Sequence, residues 1–304
     1  MSAALRTAAL VAAFCTLGAP AVRADDPVEP HSRHLAEGGP VWIGSPPAAP
    51  PRRVVVLAPS LTDVVLALGL GDRLVGVTSV DRRPEVRSLP RVGGFVDPNP
   101  EAILGLRPDL VLWVTDGAAA APVRRLAELA RASVRPFPIL ALDVVSVADV
   151  LAAPRVVGEA LGAAEAGQRL AAEMAERVER VRAEARGLPR RRVLFVVGRD
   201  PLVVAGPGSF PDELLRIAGC SNAVGGERPW PIYPLEKAVA ADPDLVVDAA
   251  AQEPREGIAR LSAVAAVRRG EVIRLSNDDL LRPGPRMIDG LEELLAALRR
   301  EARR

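Results

Sequence analysis

Along this chain, short unbroken aliphatic runs alternate with stretches whose apolar positions recur every three or four residues. The runs are Arg53–Leu57, Leu74–Val77, Leu110–Thr115, Ile139–Leu142, Arg192–Val197, Leu245–Asp248 and Val272–Leu275. Runs of this length without polar alternation suit strands covered on both faces, as in parallel sheets. The periodic stretches predict helices between them. Ser60-Leu-Thr-Asp63 is expected to cap one that reaches Leu68 and stops at Gly69, and Ser209-Phe-Pro-Asp212 another that stops at Gly219. Others are expected over about Pro122–Arg131, from Ser146 to Gly162 with a break or late start at Pro154, and over Met287–Arg300. From Ala164 to Ala185 there is no proline, and Leu170, Met174, Val178 and Val181 share one face. That predicts a single rigid helix about 30 Å long. The alternation implies an α/β fold of two Rossmann-like lobes with mainly parallel sheets, joined by this long α-helix.

One stretch is written twice. Glu101, Pro108, Asp109, Leu110 and Val111 recur as Glu236, Pro243, Asp244, Leu245 and Val246 at the same spacing. Each copy predicts a short helix, a Pro-Asp break and a buried strand, which suggests two lobes of similar build. In the first copy Asn99 caps, Pro100 takes the first helical position, and Glu101 faces the positive helix end. The segments expected are a leader over 1–24, a proline-rich tail over 25–51 with a short hairpin at Val41-Trp42-Ile43, and an N-terminal lobe over 52–145. A helical connector over 146–189 and a C-terminal lobe over 190–304 follow.

Export is read from the first residues. Arg6, the apolar stretch Ala8–Leu17 and the small-residue site Val22-Arg23-Ala24 have the form of a secretory leader cleaved after Ala24, giving a soluble periplasmic protein. Cys15 follows bulky Phe14, where a lipid-anchor motif wants a small residue. Cys220 is then the only mature cysteine and is expected to be a small buried hydrophobe. The formal net charge is +1, which offers no footprint for nucleic acid or an anionic membrane.

The residue inventory excludes much catalysis. Both histidines, His31 and His34, lie in the tail, so nucleophilic triads and zinc sites lack parts. There is no Gly-x4-Gly-Lys phosphate loop, and Lys237 is the only lysine. Gly69-Leu-Gly71 follows a helix, whereas a dinucleotide loop follows a strand. No catalytic residue, cofactor or metal is expected. The residues that folding alone leaves unexplained are Phe95, Trp113, Trp230 within Pro229-Trp230-Pro231, and Asp278 with Arg282 after the last strand. In a chain with 3% aromatics, rings at strand ends suggest a stacking surface for a flat ligand. Loops at the carboxyl ends of parallel strands are where ligands bind.

These residues carry a resemblance. Arg53-Val-Val-Val-Leu-Ala-Pro-Ser60 with Thr62-Asp63, Leu74-Val-Gly-Val77, the two Glu/Pro-Asp repeats, Pro229-Trp-Pro231, and Asp278 with Arg282 before Pro285-Arg286 resemble the periplasmic cobalamin-binding proteins of ABC importers, within the helical-backbone (class III) group. The first features are shared with relatives that take up haem and ferric siderophores. The resemblance covers roughly Arg52 to the C-terminus. It implies a monomeric carrier that captures a corrinoid in the cleft between its lobes and delivers it to an ABC permease dimer with its ATPase. The implied ligand contacts are Ser60, Leu61, Phe95, Trp113, Gly117, Trp230, Asp278 and Arg282, and the implied permease contacts are Glu101 and Glu236. The disulfide of the enteric receptors has no counterpart here. Haem or a ferric siderophore remains the alternative cargo, with Tyr233 the available iron ligand. A periplasmic α/β hydrolase is the alternative of another class, and a ligand-sensing partner of a signalling receptor is a third.

Overall fold

The computed structural model describes residues 40–94, 97–115, 120–226, 228–250, 253 and 255–303. The chain divides into two compact units, with the division between Ala175 and Glu176.

The first unit is a five-stranded sheet in the order β1-β5-β4-β2-β3, formed by β1 (Val41–Ile43), β2 (Val54–Val56), β3 (Leu74–Val77), β4 (Leu110–Thr115) and β5 (Ile139–Asp143). The pairs β2–β3, β2–β4 and β4–β5 are parallel. The edge strand β1 runs antiparallel, with Trp42 opposite Leu140. Residues 41–43 therefore extend the sheet instead of forming a hairpin in a tail. Alternation along the strands sends Val55, Leu57, Val111, Trp113 and Ile139 to one face. There they pack with Ile103 of α2 (Pro100–Gly105) and with Leu126, Ala127 and Ala130 of α3 (Ala120–Ala132). Helix α1 (Pro59–Ala67) packs on β2, β4 and α4 (Val147–Ala160).

Two expectations about these helices fail. Helix α1 is capped by Ala58 without a side-chain bond, and Ser60 lies inside its first turn. Helix α4 runs unbroken through Pro154. Its start is fixed by a capping box between Ser146 and Asp149, and Pro154 lies among its buried residues, so tertiary packing offsets the lost hydrogen bond. The helix ends at Gly162, whose φ of +69° only glycine adopts cheaply. Helix α5 (Ala164–Ala185) then crosses α4 at very close range. A Cβ on Gly167 would lie 2.5 Å from the Pro154 carbonyl oxygen.

The second unit has the sheet order β10-β9-β6-β7, from β6 (Arg192–Arg199), β7 (Leu202–Val204), β9 (Leu245–Asp248) and β10 (Val272–Arg274). The short β8 (Ser221–Asn222) pairs with the start of β6, and β7 pairs antiparallel with its end. The other pairings are parallel, and the short α8 (Ala265–Arg268) packs on β9. Helix α6 (Phe210–Ile217) is capped by Ser209, whose Oγ accepts from the Asp212 N–H at 3.3 Å, and ends before Gly219 at φ +78°. The closing helix α9 (Arg286–Glu301) buries Met287, Ile288, Leu291, Leu294, Leu295 and Leu298 at helical spacing. It is tied to α5 by Arg177, which donates to Glu292 at 2.9 and 2.7 Å and to Asp289 at 2.7 Å. The hydrogen bond from Arg177 holds the Glu292 carboxyl below its usual range.

The repeat forms the same join in both units. Asp109 Oδ2 accepts from the N–H groups of Arg52 and Arg53 at 3.0 Å, and its own N–H donates to the Arg53 carbonyl at 2.8 Å. The Arg53 guanidinium donates to the carbonyls just past α2, reaching Leu106 O at 2.7 Å and Arg107 O at 3.1 Å. In the second unit Asp244 accepts from Arg192 N–H at 2.7 Å. The Arg192 side chain donates to Ala241 O at 2.8 Å and Asp242 O at 3.3 Å, after α7 (Leu235–Ala240). Arg107 and Asp242 have φ of +49° and +39°, the only positive values at non-glycine positions among the described residues. Each precedes the repeat's proline, which disfavours the right-handed helical region for its neighbour. The left-handed residue turns the chain, and the arginine satisfies the carbonyls left open there.

Candidate functional site

In both sheets the parallel strands direct their carboxyl ends to loops that carry most of the expected ligand contacts. After β10, Ser276 is fixed by Glu293 of α9, through N–H at 3.2 Å and Oγ at 3.1 Å. Asn277 then accepts from Asp279 N–H at 2.8 Å, and Asp278 opens a single 3-10 turn over Asp279–Leu281 that packs on α6 and α9. Across this turn Arg282 Nη2 meets Asp278 Oδ2 at 2.7 Å. Both side chains are about a quarter exposed, at 22% and 27%. Beneath them Asp279 is buried and pairs with Arg286 at 2.9 Å. Burial raises its pKa, and Arg286 opposes that rise. The surface pair thus presents a guanidinium and a carboxylate side by side, both anchored to α9.

Trp230 is half-buried and held by its neighbours' carbonyls. Neither Pro229 nor Pro231 has an N–H, and their carbonyls accept from Gly206 N–H at 2.8 Å and Val204 N–H at 3.3 Å. Val203 bridges Ile232, and Tyr233 N–H donates to Leu202 O at 2.8 Å, so the segment lies antiparallel along β7. The approach is so close that a Cβ on Gly206 would lie 2.1 Å from the Arg228 carbonyl. The exposed Ile232 extends this apolar edge.

The first unit holds its expected contacts differently. Ser60 and Leu61 sit in the first turn of α1, but Leu61 is 1% exposed and its side chain belongs to the core. Trp113 is fully buried among Val55, Leu57, Val111 and Leu126, which corrects its expected place on a stacking surface. In the pleat of β4 it shares the face of Val111, and α2 and α3 cover that face. Phe95 and Gly117 lie outside the described residues. The loop beside Phe95 is tight. Gly93 has φ +92° and bridges Pro98, and a Cβ there would lie 2.6 Å from the Asp97 carbonyl oxygen.

Glu101 and Glu236 are both exposed in the first turns of α2 and α7. The Asn99 side chain caps α2 by accepting from Ala102 N–H at 3.1 Å, whereas Pro234 offers α7 no side-chain cap. Cys220 is free and buried, and burial raises its thiol pKa to about 11, the behaviour of a small core residue. No group of three or more His, Cys, Asp or Glu among the described residues could hold a metal ion, and none of the described helices is long and apolar enough to cross a membrane.

Two charged clusters were not anticipated. In the first unit Arg83 is buried between Asp63 of α1 and Asp81, which it meets at 3.1 Å. In the second, Arg199 at the end of β6 meets Asp248 of β9 at 2.8 and 3.1 Å through two nitrogens. It also donates to Ala250 O at 3.1 Å and lies 3.7 Å from Glu253. Nothing in the sequence pairs these residues: Arg199 and Asp248 close separate aliphatic runs, and Arg83 lies in a loop.

Comparison with known proteins supplies the family. A model described as periplasmic binding protein matches residues 54–278. The chain is 31% identical over 258 residues to the uncharacterized ABC transporter substrate-binding lipoprotein YvrC of Bacillus subtilis (strain 168), covering 82% of this chain and 80% of the relative. It is similar to the crystal structure of the periplasmic vitamin B12 binding protein BtuF of Vibrio cholerae, with TM-score 0.69 and 27% identity over 82% of this chain and 97% of that one. It is also similar to the periplasmic heme-binding protein RhuT from Roseiflexus sp. RS-1 in apo form, with TM-score 0.71 and 30% identity over 83% and 99% of the two chains. With the family model spanning most of the chain and the two α/β units as described, this protein belongs to the periplasmic binding protein family.

Proposed function

We propose that this protein is the substrate-binding component of an ABC importer, exported with its leader cleaved after Ala24, and that its cargo is a corrinoid, cobalamin in particular. The reading gives it a carrying role and no reaction of its own. The observation that carries the ligand assignment is the Asp278–Arg282 pair at 2.7 Å on the rim of the second unit. A primary carboxamide, of which a corrin ring bears several, donates to a carboxylate and accepts from a guanidinium at once. The propionates of haem would meet the Asp278 carboxylate as like charge. In this reading the indole of Trp230 supplies the flat apolar surface and Ser60 lies at the matching strand end of the first unit. Phe95 and Gly117 are contacts by resemblance alone. Glu101 and Glu236 meet arginines of the permease. Relatives named as vitamin B12-binding proteins support the same assignment.

Haem is the second reading, favoured by the likeness to RhuT. Against it, Tyr233 is half-buried against the second unit's apolar core, a poor position for an iron ligand. Calorimetry of the purified protein against cyanocobalamin, haem and a ferric hydroxamate decides. Binding of cyanocobalamin that weakens in Asp278→Ala and Trp230→Ala is the expected result. No heat with cyanocobalamin alongside tight binding of another cargo rejects the corrinoid assignment.

A further inference from the structure

Each unit buries an arginine beyond or at the carboxyl end of a strand, Arg83 in the loop after β3 and Arg199 at the end of β6, and each is bracketed by two carboxylates. Arg83 and Arg199 are 5% and 6% exposed, and their partners Asp63, Asp81 and Asp248 no more than 5%. Taking such groups out of water costs much of what their pairing returns, so they contribute little net stability over a well-packed apolar core. What they supply is geometry. Arg83 joins the first helix of its sheet to the loop after β3. Its own N–H also donates to Asp81, at 3.2 Å, so backbone and side chain grip one carboxylate. Helix α1 has no side-chain cap, and the clamp ties Asp63, three residues on from Ser60, to the loop after β3. Arg199 repeats the device with different elements. Its backbone N–H donates to Glu253 at 3.1 Å, while its guanidinium holds the last residue of β9 in a two-nitrogen grip and takes up the carbonyl of Ala250.

We infer that Arg83 and Arg199 are positioning residues, one in each unit, that hold the strand-end loops in their ligand-receiving conformation without touching the ligand themselves. The sequence repeat does not include them: Arg83 belongs to a loop and Arg199 to a strand, so the device arises separately in each unit. The role of the clamps in binding rests on the carrier reading above, whereas their grip on the backbone does not.

The test reads two quantities on the full-length protein. Hydrogen–deuterium exchange follows the amides of residues 59–63 and 248–250, and calorimetry follows cyanocobalamin. Arg83→Lys is expected to speed exchange over 59–63, and Arg199→Lys over 248–250, with the central strands β4 and β6 still protected. Each is expected to weaken binding about tenfold, the lower end of what loss of a supporting shell costs. Leu298→Ala, a core truncation beside Leu245 at the amino ends of the strands, serves as the stability control and should leave affinity within about twofold, since it removes packing away from the loops. Unchanged exchange at the clamped segments, or an affinity loss no larger than the control's, overturns the inference. If a lysine variant does not fold, Asp81→Asn and Glu253→Gln each remove one arm of a clamp and are judged by the same two outcomes. If the wild-type protein gives no heat with cyanocobalamin, the carrier reading fails on that ligand and the exchange result alone decides the clamps.

Discussion

The stretch from residue 101 to 111 and its counterpart from 236 to 246 share their spacing, yet the two ends of each copy behave differently. At the carboxyl end both copies build one join: an arginine on the helix carbonyls, an aspartate on the next strand's amides, and a left-handed residue before proline. At the amino end they diverge. Asn99 caps α2 with a hydrogen bond, and α7 has Pro234 and no such bond. The glutamate persists through that divergence, exposed in both. The residues of the join are held by partners, whereas both glutamates are exposed to solvent. The tryptophans give the same contrast between units, with Trp113 sealed in the first core and Trp230 held at the edge of the second sheet.

Breaking the tryptophan comparison has the largest effect. Trp113→Ala removes a fully buried ring and should destabilise the protein by about 3–5 kcal/mol, read as a lower urea midpoint at unchanged slope. Trp230→Ala, in a half-buried loop ring, should cost much less stability and lower corrinoid affinity instead. Equal stability losses in the two variants would erase the distinction between a core ring and a loop ring.

Next come the aspartates of the join. Asp109 accepts two backbone N–H bonds at its carboxylate and Asp244 one, so Asp109→Ala should cost about 1.5 kcal/mol and Asp244→Ala less. A reversed order in thermal or urea melts would mean that the joins are unequal for reasons other than their hydrogen bonds. Asn99→Ala follows, at about 1 kcal/mol for a lost cap. Pro234→Ala removes no side-chain cap bond and should cost less than Asn99→Ala in the same melts.

Legibility in the sequence followed the same line between local and distant causes. Leu74–Val77, Leu110–Thr115 and Leu245–Asp248 form strands over the expected spans, because an aliphatic run bounded by turns declares itself. The caps at Ser146 and Ser209 and the stops at Gly69, Gly162 and Gly219 were equally local. The three-residue strand β7 was hidden, since it is held by a neighbouring strand, and Val41-Trp42-Ile43 showed its extended form but not its partner β5. Pro154 misled because propensity cannot see the packing that keeps α4 whole. Trp113 misled because one step along a strand reverses the face a side chain takes. The arginine clamps could not be read at all, as Arg83 lies 20 residues from Asp63, and Arg199 lies 49 from Asp248. Asp278 and Arg282, four apart, could be read together and are paired.

The smallest effect on stability falls on the residues with the largest expected effect on transport. Glu101 and Glu236 lie in the first turns of helices of six residues, exposed to solvent, where a carboxylate's interaction with the helix start is worth less than about 1 kcal/mol. If helix support were their whole purpose, Glu236 on the uncapped α7 should matter more than Glu101 behind Asn99, and the melts of the two single alanine variants would show that order. If both serve a partner, the two alanine variants should be alike and nearly silent in melts. The double variant Glu101→Lys/Glu236→Lys should then bind corrinoid as the wild type does while failing to support uptake by membrane vesicles carrying the cognate permease. Charge reversal at two outward sites, one per unit, has no route to the ligand through the contacts described. A loss of ligand affinity in that double variant would therefore assign the glutamates to the binding loops and remove the docking role.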